Sequence, residues 1–257
     1  MIVILLAILL PVAIGTSDLA SWAIQSFSIG FLASVFIAGV LTGGILLLVG
    51  GKLYSRKLFY NYLISRSMKV SEENLPGIYE MVKSASARLD MEPVDTFIIQ
   101  DPRINAFAFG VLKKVVVLNT AIVEAMSEKE LMFVIGHELS HVKYGWTVPL
   151  RILGFTIPLP LIFSSQMREY TCDRGGVIAN RDFKSSATAL TKLALGKKLS
   201  ENVEPDKLYR EKKEVEEDKV STVTELLASH PPIKNRIYEL RKFYTSDQYE
   251  KMSDRMP

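Results

Sequence analysis

The sequence predicts a mainly α-helical domain with a small β-sheet, of the α+β class, preceded by transmembrane helices at the N-terminus. One observation behind this prediction is the uneven distribution of charge, because Asp18 is the sole charged residue among residues 1–51. The other is that apolar residues in the rest of the chain recur mostly with the period of a helix, interrupted by three short strand-like stretches. A chain of 257 residues has room for a membrane anchor and for a domain with a buried core.

The composition excludes several classes of protein. The net charge is +3 and no part of the chain stands out as a basic domain, so we expect no nucleic-acid partner. A single cysteine rules out an intrachain disulfide framework and a cysteine-rich metal site. The mean hydropathy of +0.18 is high for a soluble protein of this size and agrees with a membrane anchor.

Two apolar stretches, residues 1–15 and 27–51, predict a membrane anchor over residues 1–51. A helix needs about 20 apolar residues to span a bilayer, so the second stretch is long enough and the first is short. We expect the two to form a helical hairpin, connected by the polar residues around 16–21. A cleaved signal peptide is the alternative for residues 1–15, although this stretch lacks the basic residues that begin such a peptide.

The charges that flank the second stretch predict its orientation. Lys52, Arg56 and Lys57 follow it directly, whereas the connection before it offers only Asp18. Because basic residues favour the cytoplasmic side, we expect an integral membrane protein whose domain, residues 52–257, lies in the cytoplasm.

Periodicity and capping residues predict the elements of this domain in chain order. Apolar residues at steps of three and four predict a helix over residues 75–89, which ends before Pro93. Ser127 and Glu130 form a capping-box pattern that begins a helix reaching to about residue 144. The predicted strands are Thr96–Ile99, 104–110 and 114–119, and the further helices are 166–180, 182–195 and 233–244. Residues 201–219, rich in charge of both signs, predict a solvated helix or a mobile loop.

The capped helix carries the motif HELSH at residues 137–141, which has the form HExxH. Spacing of four residues places His137 and His141 on one face of a helix, where both can reach one zinc ion. Glu138 is next to them and could deprotonate a zinc-bound water. The alternative is that both histidines are hydrogen-bonded core residues of a buried helix.

A catalytic zinc site needs a third protein ligand and leaves the fourth position open for water. With a single cysteine and no third histidine nearby, the candidate is Glu169 on the next predicted helix. Asp173, one turn further along, could accept a hydrogen bond from a ligand histidine and so select its tautomer. A glutamate and an aspartate four residues apart are also common on helix surfaces without a metal. We interpret Cys172, which lies between Glu169 and Asp173, as a packing residue.

Four segments in order resemble the family of membrane zinc metalloproteases that contains HtpX and the CAAX prenyl endopeptidases. They are HELSH at 137–141, REYTCD at 168–173, NAFAFG at 105–110, and SHPP at 229–232 with Arg236 and Ile237 downstream. The resemblance implies a zincin-like fold with one zinc ion per chain, bound by His137, His141 and Glu169, and with Glu138 as the general base. It also implies that His230 or Arg236 assists at the oxyanion or organises the site.

By the same resemblance, the strand at Asn105, Ala106 and Phe107 would bind the backbone of the substrate. An edge strand can do so through its unpaired N–H and C=O groups, but this stretch could also be an ordinary hairpin strand. Likewise, His230 could cap the helix that follows it. Arg236 could pair with Glu138, with Asp173 or with a surface carboxylate.

The apolar residues 146–163 depart from the HtpX pattern, which has two further spanning helices between HExxH and the third ligand. A single crossing would put Glu169 and His141 on opposite sides of the membrane, so this segment cannot span once if both bind the same metal. It is either a hydrophobic loop that covers the core or a membrane-facing lip that admits substrates.

The sequence therefore predicts a membrane-anchored, zinc-dependent endopeptidase. Its expected partners are membrane lipid and polypeptide substrates, membrane-associated or misfolded chains among them. A non-enzymatic alternative is a catalytically silent membrane adaptor or holdase, against which the intact Glu138 argues. An intramembrane protease is a further alternative, but charged residues at 128–130 and at Lys143 leave too short an uncharged stretch to span a membrane.

Overall fold

The computed structural model describes residues 16–109, 114–146, 159–214 and 231–254. The chain divides into two compact units, Met1–Lys57 and Leu58–Pro257. Helix α1, Thr16–Ser65, contains the stretch Ile29–Ser65, which is long and apolar enough to cross a membrane and has a mean hydropathy of 2.5.

The start of α1 corrects one expectation. Residues 16–21 were expected to connect two spans, but they are helical. The physical reason is that residues 16–29 contain no proline or glycine, so nothing in this stretch stops a helix. The first apolar stretch, residues 1–15, lies outside the described residues, and the hairpin remains a prediction. The predicted boundary at residue 52 falls within α1.

The second unit contains a four-stranded mixed sheet. In chain order its elements are β1 (Ser67–Lys69), helix α2 (Pro76–Arg88), β2 (Thr96–Ile99), β3 (Ala106–Phe109) and β4 (Val115–Asn119). The strand order is β1-β2-β4-β3, with β2 and β4 parallel and the other pairs antiparallel. Strand β3 therefore lies at one edge. The three predicted strands are confirmed, whereas β1 is too short to show an alternating pattern.

Helices make up the rest of the described domain. They are α3 (Thr120–Ala125), α4 (Glu128–Lys143), α5 (Leu159–Asn180), α6 (Phe183–Leu195), α7 (Lys197–Ser200), α8 (Pro205–Glu214), α9 (Ile233–Tyr244) and α10 (Asp247–Ser253). The predicted helices at 75–89, 127–144, 166–180, 182–195 and 233–244 are confirmed within a few residues, apart from the earlier start of α5. Part of the charged segment forms α8, and its residues 215–219 lie outside the described residues.

The two faces of the sheet pack against different partners. On one face, Ile98, Val116 and Leu118 join the main core, which helices α2, α4, α5, α6 and α9 complete. On the other face, Phe97, Val115 and Val117 form a smaller cluster that is covered by Tyr60 and Ile64. The prediction of a mainly helical α+β domain is confirmed.

Candidate metal centre

Helix α4 carries the HExxH motif and is anchored at its N-terminus by a capping box. The backbone N–H of Ser127 donates to Glu130 Oε2 at 2.7 Å, as the pattern predicts. The same oxygen accepts a hydrogen bond of 2.7 Å from Lys192 Nζ on α6, in a largely buried ion pair. Phe133, Ile135 and Leu139 are fully buried, so the helix is held in the core along the motif.

Helices α4 and α5 pack antiparallel and very closely through small residues. A Cβ atom added to Gly136 would lie 2.4 Å from Ala179 Cβ, and one added to Gly175 would lie 1.8 Å from Ser140 Oγ. At Gly176 an added Cβ would meet the Phe133 ring at 2.6 Å. Only glycine allows this approach, which brings the face of α4 that carries HExxH against the face of α5 that carries Glu169 and Asp173.

Three side chains from these two helices could hold a metal ion. His137 Nε2 and His141 Nε2 lie 3.2 Å apart. The carboxylate of Glu169 approaches both, with Oε2 3.7 Å from His137 Nε2 and Oε1 3.6 Å from His141 Nε2. One ligand atom from each residue lies within 4.8 Å of the others. Atoms that bind a tetrahedral zinc ion at about 2.0–2.1 Å are about 3.3 Å apart, so two imidazoles and a carboxylate with these separations fit zinc.

Asp173 and Arg236 lie behind this group. Asp173 Oδ1 is 2.9 Å from Nδ1 of His137. The guanidinium of Arg236 binds the same carboxylate twice, from Nε to Oδ2 at 2.8 Å and from Nη2 to Oδ1 at 2.5 Å. Of the partners that the sequence left open for Arg236, the structure thus pairs it with Asp173. The side chains of His137, Asp173 and Arg236 are all largely buried.

Burial and neighbouring charges shift the pKa values of this cluster. Burial tends to raise the pKa of Asp173, but the charge and hydrogen bonds of Arg236 and the hydrogen bond to His137 hold it below its usual value. Burial alone would lower the pKa of His137, yet its hydrogen bond to Asp173 and the nearby carboxylates raise it. His141 lacks such a contact with Asp173, and burial together with the charge of His137 lowers its pKa to about 4.

Glu138 is buried beside the three candidate ligands, with 8% of its surface exposed. Burial raises its pKa above the usual range, which the charge of His137 partly offsets and the charge of Glu169 reinforces. The backbone N–H of Ala108 in β3 donates a hydrogen bond to this carboxylate. Glu138 therefore lies between the metal-binding group and the edge strand.

The residues predicted to bind substrate lie at or next to β3. Ala106 and Phe107 pair with β4 opposite Leu118 and Val117. Asn105 precedes the strand, and its carbonyl accepts a hydrogen bond of 3.1 Å from the backbone N–H of Asn119. The side chains of Asn105 and Ala106 line a cleft of about 280 Å³ that also contains His137 and Glu138. The Phe107 side chain packs with the cluster on the opposite face of the sheet, and Phe107 is not among the residues that line the cleft.

Two further residues were singled out from the sequence, His230 and Cys172. His230 lies outside the described residues. Cys172 is fully buried, and burial raises the pKa of its thiol well above the usual range, so it acts as a packing residue. Residues 147–158 of the apolar segment also lie outside the described residues, and residues 159–163 belong to α5.

Sequence reasoning did not single out Gly136, Gly175 and Gly176, on which the position of the site depends. The signal was present, because glycine weakens a helix interior by about 1 kcal/mol relative to alanine. Glycines directly before HExxH and just after Asp173, inside two predicted helices, therefore indicate a close helix–helix contact at that point.

Comparison with known proteins gives matches over most of the chain. Residues 72–148 and 150–244 match the sequence model of peptidase family M48. Two proteins described as protease HtpX homologs, from Streptococcus pyogenes serotype M49 (strain NZ131) and serotype M28 (strain MGAS6180), are each 26% identical to it. Both alignments cover 77% of this chain and 86% of the relative. The crystal structure of Ste24p from S. mikatae aligns with a TM-score of 0.40 and 14% identity, covering 84% of this chain and 66% of that chain.

Proposed function

The chain belongs to peptidase family M48 and is a metalloprotease, and we propose that it is a membrane-anchored endopeptidase that depends on one zinc ion per chain. The observation that carries this proposal is the convergence of His137, His141 and Glu169, with a buried Glu138 beside them. The helix Ile29–Ser65 supports the membrane anchor.

His137, His141 and Glu169 would hold the zinc ion, and the spacing of their ligand atoms supports this assignment. A bound zinc ion lowers the pKa of water and polarises the carbonyl of the scissile peptide bond. In the proposed reaction Glu138 accepts a proton from the attacking water and passes it to the leaving amine.

Asp173 and Arg236 would orient the first ligand. When Nδ1 of His137 donates its proton to Asp173, the lone pair of Nε2 faces Glu169 and His141. Arg236 keeps the Asp173 carboxylate ionised and in place through two hydrogen bonds. Arg236 then acts through Asp173, and His230 remains the candidate for contact with the oxyanion.

A peptidase acts on polypeptides, and β3 supports an extended mode of binding. Its position at the edge of the sheet leaves one side of its backbone without a strand partner among the described elements. Pairing along Asn105, Ala106 and Phe107, through the backbone groups that do not bond to β4, would bring a peptide alongside Glu138 with little dependence on its side chains. We propose membrane-associated or misfolded chains as substrates, lipid as the other partner and no nucleic-acid ligand.

The test uses the full-length protein, purified in detergent with zinc. We expect about one zinc ion per chain by elemental analysis and cleavage of casein as an unfolded substrate. Glu138→Gln should keep the zinc but lose cleavage, because an amide cannot act as the base. Equal cleavage by both proteins would contradict the mechanism, and zinc binding with no cleavage by either would favour an adaptor or holdase.

The orientation is tested separately. Lys52, Arg56 and Lys57 support a cytoplasmic domain. A reporter that is active only in the cytoplasm should be active when it is fused after residue 60. If only a reporter that works outside the cytoplasm is active at this position, the orientation is wrong.

A further inference from the structure

The last residues of α1 and of α4 lie at the same end of the sheet. The ring of Phe59 in α1 meets the ring of Phe109 in β3 edge to face, with their centroids 5.1 Å apart. Phe109 pairs with Val115 of β4, and both side chains belong to the smaller cluster on one face of the sheet. Lys114 precedes Val115, and its Nζ donates a hydrogen bond of 2.9 Å to the carbonyl oxygen of Val142, near the end of α4. Helices α1 and α4 therefore flank this end of the sheet from opposite faces.

Exposed apolar side chains cluster at this end. Tyr144 is 49% exposed, and its ring packs against that of Trp146 with centroids 4.9 Å apart. The Trp146 backbone N–H donates to the carbonyl oxygen of His141 at 2.8 Å, which fixes the pair directly after HExxH. Helix α5 adds Met167, which is 60% exposed, because the antiparallel packing brings the start of α5 to the end of α4. We call this surface the apolar end, and its members are Phe59, Phe109, Tyr144, Trp146 and Met167.

The chemistry of the apolar end suits the interface of a lipid bilayer. Tyrosine and tryptophan combine an apolar ring with a polar group, and they are enriched at the level of the headgroups in membrane proteins. Lys114 and Lys143 add two exposed cations at the end of α4. Each donates to a backbone carbonyl, of Val142 and of Leu89 respectively. An ammonium group has three donors, so each lysine keeps others for the phosphate of a lipid headgroup.

The chain on either side of the apolar end favours lipid as the partner. Phe59 is part of the stretch Ile29–Ser65, which is long and apolar enough to cross a membrane. Trp146 is followed in the sequence by residues 147–163, among which Arg151 is the sole charged residue. Exposed apolar surface that adjoins such stretches is typical of a membrane contact.

We propose that the apolar end docks on the interface of a lipid bilayer, with Tyr144 and Trp146 at the level of the phosphate headgroups. The inference rests on the proposed membrane anchor and names the surface through which the second unit contacts lipid. His141 lies three residues before Tyr144, which is about 4.5 Å along the helix axis. Docking therefore holds the candidate metal centre close to the membrane surface, where membrane-associated polypeptides can reach it.

The first experiment uses tryptophan as a probe of depth. The chain has two tryptophans, so Trp22→Phe leaves Trp146 as the sole one in the full-length protein. The protein is reconstituted as one copy per nanodisc of phosphatidylcholine and phosphatidylglycerol, with or without bromine atoms on the acyl chains. Bromine quenches tryptophan on contact, and we expect the fluorescence of Trp146 to fall about 2-fold or more. Unchanged fluorescence would overturn the proposal.

A matched control places the probe at the other end of α4. Leu199 is 63% exposed and follows α6, whose Lys192 pairs with Glu130 in the first turn of α4. In Trp22→Phe/Trp146→Phe/Leu199→Trp, the brominated lipids should leave the fluorescence unchanged. Equal quenching at positions 146 and 199 would contradict docking through the apolar end.

A second probe tests whether the surface includes α5. Cys172 is fully buried, so a thiol-reactive fluorophore should label only the new thiol of Met167→Cys or of the control Leu199→Cys. Lipids with a nitroxide on the acyl chain should quench the label at position 167 and not the label at position 199. Quenching at neither position would contradict the proposed surface.

A charge placed at the interface tests the role of Tyr144. In the Trp22→Phe background, Tyr144→Glu should reduce the quenching of Trp146 about 2-fold or more, because a carboxylate resists transfer out of water. Leu199→Glu, the same change at another exposed apolar residue, should have no effect. Equal quenching in the two variants would contradict this role, and the label at Met167→Cys tests the surface even if Tyr144→Glu does not fold.

The outcomes separate docking from the functions proposed above. If the protein does not float with liposomes after a sodium carbonate wash, the membrane anchor fails and docking fails with it. If it floats but positions 146 and 167 are not quenched, the anchor stands and only docking is wrong. Shielding of position 167 that requires two copies per nanodisc would assign the surface to a second chain and overturn the proposal. Loss of Glu138-dependent cleavage would refute the peptidase function without affecting these measurements.

Discussion

His137 and Asp173 are joined by a hydrogen bond of 2.9 Å between Nδ1 of the imidazole and Oδ1 of the carboxylate. The two residues belong to different helices and are 36 positions apart in the chain. The bond leaves His137 Nε2 facing His141 and Glu169, and Arg236 holds the same carboxylate in place through two further hydrogen bonds. The orientation of one candidate ligand thus depends on two side chains that are not ligands themselves.

The Asp173–His137 contact predicts an effect on metal affinity. Asp173→Asn keeps the volume of the side chain but removes the charge that holds Arg236 and favours the Nδ1–H tautomer of His137. We expect zinc affinity to fall about 10–100-fold, measured by competition with a chromogenic chelator. Asp206→Asn removes a carboxylate that pairs with Arg241 at the surface and should leave the affinity unchanged. Equal affinities for Asp173→Asn and the wild type would refute this role.

The close contact of α4 with α5 predicts that a single methyl group is not tolerated. Gly136→Ala would place its Cβ 2.4 Å from Ala179 Cβ and 3.0 Å from the carbonyl oxygen of Gly175, so the helices must separate. We expect the free energy of unfolding to fall by about 1–3 kcal/mol in chemical denaturation, and zinc binding to weaken as Glu169 moves away from the histidines. Gly77→Ala in α2 is the control, because its Cβ would meet nothing within 4 Å. It should be neutral or stabilise the protein by up to about 1 kcal/mol.

The buried ion pair between Lys192 and Glu130 predicts a strong dependence on both partners. Lys192→Met leaves the Glu130 carboxylate 6% exposed and without its cation, so we expect a loss of about 3–5 kcal/mol in the free energy of unfolding. The double variant Lys192→Met/Glu130→Gln should recover much of this loss, because no unpaired charge remains. Lys83→Met, which breaks the exposed pair with Glu80, should cost less than about 1 kcal/mol. A similar loss for both lysine variants would contradict the importance of burial.

The N-cap of α6 predicts a pH dependence of stability. Asp182 accepts a hydrogen bond of 2.9 Å from the backbone N–H of Ser185 and pairs with Lys129, and these contacts lower its pKa. Because the pKa of Asp182 is lower in the folded protein than in the unfolded chain, the ionised carboxylate stabilises the fold. This contribution is fully present above the pKa of about 3.9 in the unfolded chain, and it is lost as the pH falls through the pKa of Asp182 in the folded protein. Asp182→Asn keeps a good N-cap but cannot titrate.

The measurement compares wild type and Asp182→Asn by denaturation at several values of pH between 7 and 2.5. The stability difference in favour of the wild type should be largest near neutral pH and should shrink below about pH 4. A difference that stays constant over this range would show that the Asp182 carboxylate makes no ionic contribution. Asp182→Ala should be about 1 kcal/mol less stable than Asp182→Asn at every pH, because it removes the cap itself and neither side chain titrates.

Local patterns were enough to predict much of this domain. The capping box at Ser127 and Glu130, the apolar periodicity of α2 and α4, and the short apolar stretches of β2 and β4 all correspond to observed elements. These features depend on residues within a few positions of one another, and so they can be read from the sequence. The short strand β1 was missed because three residues are too few to show a strand pattern. The helical start at Thr16 was missed because the polar residues 16–21 were given more weight than the absence of proline and glycine from this stretch.

The sequence by itself determined the type of site, because HExxH and ExxxD at helical spacing place two pairs of polar side chains on single helix faces. Only the tertiary structure decided how these faces meet. It pairs Arg236 with Asp173 although Glu138 was an equal candidate, and it directs the Phe107 side chain away from the cleft that Asn105 and Ala106 line. It also brings residues of α4, α5, α6 and α9 together around the cleft beside Glu138. These relationships join residues that are distant in the chain, and they depend on helix packing distances that three buried glycines allow and that no local pattern encodes.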